Sequence, residues 1–298
     1  MHPQPYIGRF APTPSGHLHF GSLLAALASY LDARSHAGSW LLRVEDLDQP
    51  RCVPGATDHI LRTLEAYGMV WDGEVIRQNQ RVALYQQVID NWLDSGLAYY
   101  CDCSRQHIAK HGGVYPGTCR NRHLPFAHTH AVRVQAPQHE ICFTDRLQGY
   151  FGQRLAAEVG DFVVKRRDGV IAYQLAVVID DIAQGVTDIV RGADLIDSTP
   201  RQLWLYQLLK SEPPRYLHIP LVMRQQGEKL SKRLASPPID TSMAPATLFK
   251  AIAALAQEPP ADLRNAPVGE QLAWASNNWS PERLPAALQL LESTLPQA

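Results

Sequence analysis

A chain of 298 residues with 45% hydrophobic and 19% charged residues has the length and balance to bury a sizeable core, with about two domains as the prior, which excludes a disordered or peptide-sized module. The net charge of −1 excludes long-range attraction as the means of holding nucleic acid, so such a partner would need a local basic patch. No apolar run reaches the roughly 18 residues of a membrane span, and Met1–Tyr6 has neither the basic nor the apolar stretch of an export signal, so a cytoplasmic protein without a membrane partner is expected.

Tyr6 to Phe10 reads as a short strand entering a Pro/Gly loop, and Gly21 to Ala37 carries Leu23, Leu24, Leu27, Tyr30 and Leu31 at helical spacing. Trp40 to Val44 is a second buried strand ending in the acidic run Glu45-Asp46-Leu47-Asp48, and a helix is expected from Pro54 through Tyr67. Another amphipathic helix spans Arg81 to Gly96, followed by an aperiodic segment from Tyr100 to His123. Between Ala131 and Asp181 the pattern turns to short β runs, with Arg166-Arg167-Asp168-Gly169 as a hairpin turn between Phe162–Val164 and Val170–Tyr173. Asp188 to Arg191 reads as a strand, Thr199 to Leu209 as a helix opening on Pro200, and Tyr216 to Met223 as a strand. Weak helices are expected at Leu248 to Ala254 and Leu284 to Leu291. Strands alternating with helices imply an α/β fold with a doubly wound parallel sheet, whose ligands bind beyond the carboxyl ends of the strands. Arg9, His19 and Glu45 fall at such ends.

Two segments carry phosphate chemistry. The loop Arg9-Phe10-Ala11-Pro12-Thr13-Pro14-Ser15-Gly16-His17-Leu18-His19-Phe20-Gly21-Ser22 opens a helix, whose free N–H groups and partial positive charge suit an anion. Gly16 and Gly21 let the backbone come close, and His17 and His19 could reach one ligand from the same side. Lys229-Leu230-Ser231-Lys232-Arg233 would alone be an ordinary solvated loop. Paired with the first segment, Lys229 and Lys232 are suited to charge building on a leaving pyrophosphate.

Of five cysteines, Cys101, Cys103 and Cys119 cluster, and without an export signal the cluster reads as metal ligation before disulfides. Cys52 and Cys142 read as small packing residues. Three thiolates need a fourth donor for the tetrahedron zinc prefers, and from residue chemistry His107, His111 or His123 would supply it more readily than a phenol.

Taken together, these motifs resemble the class I aminoacyl-tRNA synthetases of the glutamyl type. The resemblance rests on Phe10–Gly16, His19–Ser22, Leu42–Asp48, Gly185–Asp194 and Lys229–Arg233, in that order, and runs from about Tyr6 to Arg233. Ser22 and Leu230 depart mildly from the two signatures. The residues beyond Asp240 are too few for the usual helical anticodon-binding region. The segment Cys101-Asp102-Cys103 with Tyr115-Pro116-Gly117-Thr118-Cys119 is similar to that of truncated members which attach glutamate to the queuosine base in the anticodon of tRNA(Asp).

The resemblance implies a Rossmann-like catalytic domain whose first half is residues 1–97 and whose second half, with the lysine loop, is 161–240. Residues 98–160 would be an inserted zinc-binding subdomain, and 241–298 a short helical C-terminal region. It implies ATP with Mg²⁺ as substrate, held by Pro12, Gly16, His19, Gly21, Ser22, Leu230, Ser231 and Lys232, with His17, His19, Lys229 and Lys232 catalytic. L-glutamate would be held by Arg9, Ala11, Ser15, Glu45, Tyr173 and Arg191. The arginines are suited to carboxylates and Glu45 to the ammonium, although Glu45 could instead be scaffold paired with Arg43 or Arg9. Asp46 and Asp48 read as structural. One structural zinc ion would sit on Cys101, Cys103, Tyr115 and Cys119. A monomer acting on queuosine-containing tRNA(Asp) is expected. Lys165-Arg166-Arg167, Arg120-Asn121-Arg122 and Arg201 could touch RNA phosphates or be solvated charges. Competing readings are a glutamyl-tRNA synthetase charging a 3′ end, a glutamate-adenylating ligase with a small-molecule acceptor, and a non-catalytic RNA-binding module.

Overall fold

A computed structural model describes residues 5–223 and 239–291, so Lys229, Leu230, Ser231, Lys232 and Arg233 lie outside the described residues. Strand β1 (Ile7–Phe10) enters the Pro/Gly loop, helix α1 (Phe20–Ser35) leaves it, and β2 (Ser39–Val44) returns parallel to β1, with Ile7 opposite Ser39 and Phe10 opposite Leu42. The α1 crossover packs as its spacing dictates: Leu23, Leu27 and Leu31 share one face and join Trp40 and Leu42 in one core. Burying each such side chain contributes roughly 1.5–3 kcal/mol. Helix α2 (Ala56–Ala66) begins behind Gly55 at φ 76°, later than Pro54, and β3 (Ile76–Arg77) pairs parallel to β2.

Helix α3 (Val82–Asp94) leads into an insertion. Its β4 (Ala98–Cys101), short α4 (Arg105–Ala109), β5 (Ala131–Val134), ribbon β6 (Ile141–Asp145) with β7 (Gly149–Gln153), short α5 (Leu155–Glu158) and β8 (Phe162–Lys165) follow in order. β4, β5 and β8 form an antiparallel sheet, and β6 pairs antiparallel with β7. The parallel topology then resumes through α6 (Tyr173–Ala183), β9 (Asp188–Gly192), α7 (Thr199–Leu208) and β10 (Arg215–Ile219), with β10 parallel to β9. The two parallel pieces meet where the Thr187 N–H donates to the Ile7 carbonyl at 2.9 Å. This is the expected α/β architecture, with the carboxyl ends of β1, β2 and β9 opening on one side.

Three expectations are corrected. Val170–Tyr173 is not a return strand: Ile171 makes one isolated bridge to Lys165, and Tyr173 already begins α6. α6 is buried along Leu175–Asp181, so its apolar run has no polar face to reveal a 3.6-residue period. Leu284–Leu291 is not a helix, because Pro285 restricts the residue before it and the Ala287 N–H turns back to the Pro285 carbonyl. Gln289–Leu291 instead forms β12, parallel to β11 (Leu221–Met223). Cys142 is exposed on β6 and does not pack in a core.

Helices α8 (Ala244–Ala254) and α9 (Val268–Asn277) place Leu248, Ile252 and Leu272 in the same core as α1. A second core joins α3, the insertion sheet, α6, α7 and β10. Among the described residues no helix is long and apolar enough to cross a membrane.

Candidate active site

The carboxyl ends of β1, β2 and β9 open on a cleft of about 980 Å³ that Arg9, Ala11, Pro12, Ser15, Gly16, His17, His19, Gly21, Ser22, Glu45, Tyr173 and Arg191 all line. One end of the cleft is the start of α1, which has no acidic residue in its first turn, so its partial positive charge is left for a ligand. His19 is the N-cap: its Nδ1 accepts from the Ser22 backbone N–H at 3.2 Å, and its Nε2 lies 2.9 Å from Ser22 Oγ. Burial pushes the His19 imidazole below its ordinary pKa, which keeps the ring neutral, with Nδ1 the acceptor and the proton on Nε2. A Cβ on Gly21 would meet the His19 ring at 3.3 Å, a tight contact that glycine spares this cap. His17 reaches the same cleft with its ring stacked on His59, centroids 3.7 Å apart and planes 6° apart.

At the other end lies a buried charge cluster. Arg9 gives Nε and Nη2 to the two Asp181 oxygens at 3.2 and 3.4 Å, so its guanidinium is largely committed to the scaffold. Arg43 Nη2 lies 2.8 Å from Asp181 Oδ1 and 3.8 Å from Glu45 Oε1. Glu45 Oε1 is nevertheless buried and accepts no hydrogen bond from a described residue. Burial raises the Glu45 carboxyl to about 7, against the pull of Arg43 and Arg9. A buried carboxylate oxygen at a cleft with no hydrogen bond to satisfy it suits a substrate ammonium.

Arg191 is the better-placed carboxylate receptor. Its Nε donates to His218 Nε2 at 2.9 Å and its Nη2 to Thr199 Oγ1 at 2.8 Å, while the buried Nη1 has no partner among the described residues. Asp46 and Asp48 are structural as expected: Asp46 Oδ1 accepts from the Asn79 N–H at 2.8 Å, and Asp48 pairs with Arg51 and Arg166 at 2.8 Å each. Arg43, Asp181, Thr199 and His218 were not among the sequence candidates. A histidine within the apolar strand run Tyr216-Leu217-His218-Ile219 was the signal available for His218.

In the insertion, the Sγ atoms of Cys101, Cys103 and Cys119 lie within 4.8 Å of one another. Zinc–sulfur bonds of about 2.3 Å at tetrahedral angles would set thiolates about 3.8 Å apart, so the trio fits. Tyr115 Oη lies 3.4 Å from Cys101 Sγ and 4.0 Å from Cys103 Sγ, and it accepts from the Cys119 N–H at 2.9 Å. The Arg133 Nε–H points at Cys101 Sγ at 3.3 Å and its guanidinium lies 3.9 Å from the Tyr115 ring centroid, which favours a thiolate there. His107 is turned to Thr118 Oγ1 at 3.2 Å and meets His111 edge to face, ring centroids 5.1 Å apart. Gly160, at φ 72°, bridges to Tyr115; a Cβ there would stand 2.2 Å from the Tyr115 carbonyl oxygen. Nearby arginines are already paired, Arg120 with Asp161 at 2.6 Å and Arg122 with Asp102 at 2.7 Å.

The family described as tRNA synthetases class I (E and Q), catalytic domain, matches residues 7–244. The Glutamyl-Q tRNA(Asp) synthetase of Ectopseudomonas mendocina is 57% identical over 290 residues, covering 97% of this chain and 98% of that protein. The protein of the same name from Pseudomonas aeruginosa PAO1 is 54% identical over 293 residues, 97% of this chain and 99% of its own. Among solved structures, the glutamate-tRNA synthetase of Elizabethkingia anophelis superposes with a TM-score of 0.79 at 24% identity, covering 98% of this chain and 68% of that one, a likeness of fold.

Proposed function

The chain belongs to the class I tRNA synthetases for E and Q, among the glutamyl-Q tRNA(Asp) synthetases, and from that premise we propose that it is a ligase that activates L-glutamate with ATP and transfers it to the queuosine base in the anticodon of tRNA(Asp). The observation that carries the activation step is the presence, in one cleft, of two buried groups of opposite charge with no hydrogen-bond partner among the described residues, Arg191 Nη1 and Glu45 Oε1, together with the start of α1, which has no acidic residue in its first turn. A zwitterionic amino acid fits the first two and a nucleotide phosphate the third.

In the proposed reaction the α-carboxylate oxygen of glutamate forms a bond to the α-phosphorus of ATP. The bond to the bridging oxygen breaks, and pyrophosphate leaves with the electron pair. Glu45 holds the ammonium, Arg191 holds a carboxylate, and Tyr173 offers a hydroxyl beside them. His19 and the α1 N–H groups hold phosphate oxygens, and Lys229 and Lys232 neutralise the departing pyrophosphate, with Mg²⁺ supplying further charge when bound. A queuosine hydroxyl then attacks the acyl carbon and gives up its proton to the departing phosphate, the carbonyl–phosphate oxygen bond breaks, and AMP departs. Rate comes from positioning and charge, and no covalent enzyme intermediate is involved.

Cys101, Cys103, Cys119 and Tyr115 would hold one zinc ion, which when bound ties the end of β4 to the loop before β5. That role is structural, and the protein would act as a cytoplasmic monomer. Incubation with ATP, labelled glutamate and tRNA from cells able and unable to make queuosine tests the reading. Label confined to queuosine-containing tRNA is expected. Label in both pools would make this a 3′-end synthetase, and label in neither, with ATP turnover intact, would point to a small-molecule acceptor.

A further inference from the structure

We propose that Asp145 and His218 are positioning residues that fix the Arg191 guanidinium for a substrate carboxylate by setting the tautomer of the His218 ring. The proposal rests on the glutamate reading of the cleft. An arginine Nε can only donate, so the 2.9 Å contact from Arg191 Nε requires His218 Nε2 to accept. The ring proton therefore sits on Nδ1, where it is donated to Asp145 Oδ2 at 2.6 Å. Asp145 is itself held by backbone: Oδ1 accepts from Leu147 N–H at 3.0 Å and Gln148 N–H at 2.9 Å, and Oδ2 accepts from His218 N–H at 3.1 Å.

Asp145, His218 and Arg191 are 2%, 0% and 4% exposed, so water does not substitute for any of these partners. With Nε and Nη2 both engaged, the guanidinium plane is fixed, and among the described residues nothing takes Nη1, which is left for the cleft. Burial lowers the His218 pKa to about 4, so the ring stays neutral and the relay intact at neutral pH. Asp145 stands on β6, within the insertion, while Arg191 and His218 stand on β9 and β10. The insertion thus reaches the amino-acid pocket through one carboxylate.

Asp145→Asn is the test, because it keeps shape and inverts the bond to His218 Nδ1, while the His218 N–H, 3.2 Å from Oδ1, keeps the amide oxygen as acceptor. Its amide oxygen can still accept from Leu147 and Gln148, which turns NH₂ toward His218 Nδ1. The ring proton must then move to Nε2, where it faces the Arg191 Nε–H, and two donors oppose each other. In ATP–pyrophosphate exchange we expect the KM for glutamate to rise about tenfold or more, with the KM for ATP within about twofold. Ring ¹⁵N shifts should place the His218 proton on Nδ1 in the native protein and on Nε2 in Asp145→Asn. His218→Gln, whose Oε1 can accept from Arg191, should hold the glutamate KM within about threefold, whereas His218→Asn, which reaches only Asp145, should raise it. That pair carries the comparison if Asp145→Asn fails to fold. An unchanged glutamate KM in Asp145→Asn beside a raised one in Arg191→Lys would overturn the relay and leave the carboxylate reading standing. An unchanged KM in Arg191→Lys as well would overturn the carboxylate reading, and the relay with it. A parallel rise of both KM values in Asp145→Asn would make Asp145 scaffold and overturn the relay.

Discussion

Trp279 Nε1 donates to Asp32 Oδ1 at 2.9 Å, tying the segment after α9 to the first crossover helix. Asp32, with no side-chain exposure, also accepts both ends of the Arg146 guanidinium at 2.6 and 3.0 Å and the Tyr6 hydroxyl. One carboxylate thereby joins α1, the residue that precedes β1, the turn of the β6–β7 ribbon and the C-terminal region. Asp32→Ala, which leaves a guanidinium, a phenol and an indole without their acceptor, should cost about 3–5 kcal/mol, and Trp279→Phe about 1–2 kcal/mol. Urea unfolding followed by circular dichroism measures both. A loss below about 1 kcal/mol in Asp32→Ala would mean that water takes over these partners.

The metal centre gives a ligand-by-ligand expectation. His107→Ala, His111→Ala and His123→Ala should each retain stoichiometric zinc, because no histidine nitrogen of the described residues gathers with the three sulfurs, and His107 contacts Thr118 and the edge of His111. Cys103→Ser or Cys119→Ser should lower zinc affinity by 10-fold or more, and Tyr115→Phe should lower it while leaving the three thiols in place. Metal content after dialysis against a chelator decides it, and loss of zinc in any one histidine variant would move the fourth ligand off Tyr115.

Lys232 belongs to the lysine segment outside the described residues, and its expected role is charge stabilisation of the leaving pyrophosphate. Lys232→Ala should slow adenylate formation on the order of 10²-fold or more, with folding unchanged. Single-turnover measurement of pyrophosphate release gives the step directly. A loss below about threefold with native circular dichroism would remove Lys232 from that role.

The parts legible in the sequence were those specified locally. The β1, loop, α1 unit could be read because Leu23, Leu27 and Leu31 mark one helix face and His19 and Gly21 mark its start. The cysteine cluster could be read because its members are close along the chain. α6 was missed since burial on nearly every side erases the period that distinguishes helix from strand, and β12 was missed because its partner β11 is far away in sequence. The cleft candidates were found as residues but not as a network. Arg9 points into Asp181 across 172 positions, and His218 meets Asp145 across 73, pairings that no local spacing encodes. What remained hidden was therefore which arginine was free to bind a carboxylate.

The raised Glu45 carboxyl makes glutamate binding depend on pH. Burial lifts it from 4.5 to about 7, so between these values the folded state holds a proton that the unfolded state has lost. Folding stability from this group accordingly falls as pH rises from about 4.5 through about 7, the reverse of a salt-bridged carboxylate. A substrate ammonium binds the ionised form, so affinity should rise with pH over the same range and level off above it. The KM for glutamate should be about tenfold higher at pH 6 than at pH 8, since one pH unit below the pKa costs about a factor of ten in the ionised fraction. The ammonium and both carboxyls of glutamate keep their charge over this interval, so the substrate does not supply the dependence. Glu45→Gln, which cannot ionise, should bind glutamate weakly and show no such slope, while gaining stability at pH 8 relative to pH 6 when compared with the native protein. Steady-state exchange kinetics across the two pH values, with the KM for ATP measured alongside, checks it. A slope that persists in Glu45→Gln would assign the titration to another group and take the ammonium away from Glu45.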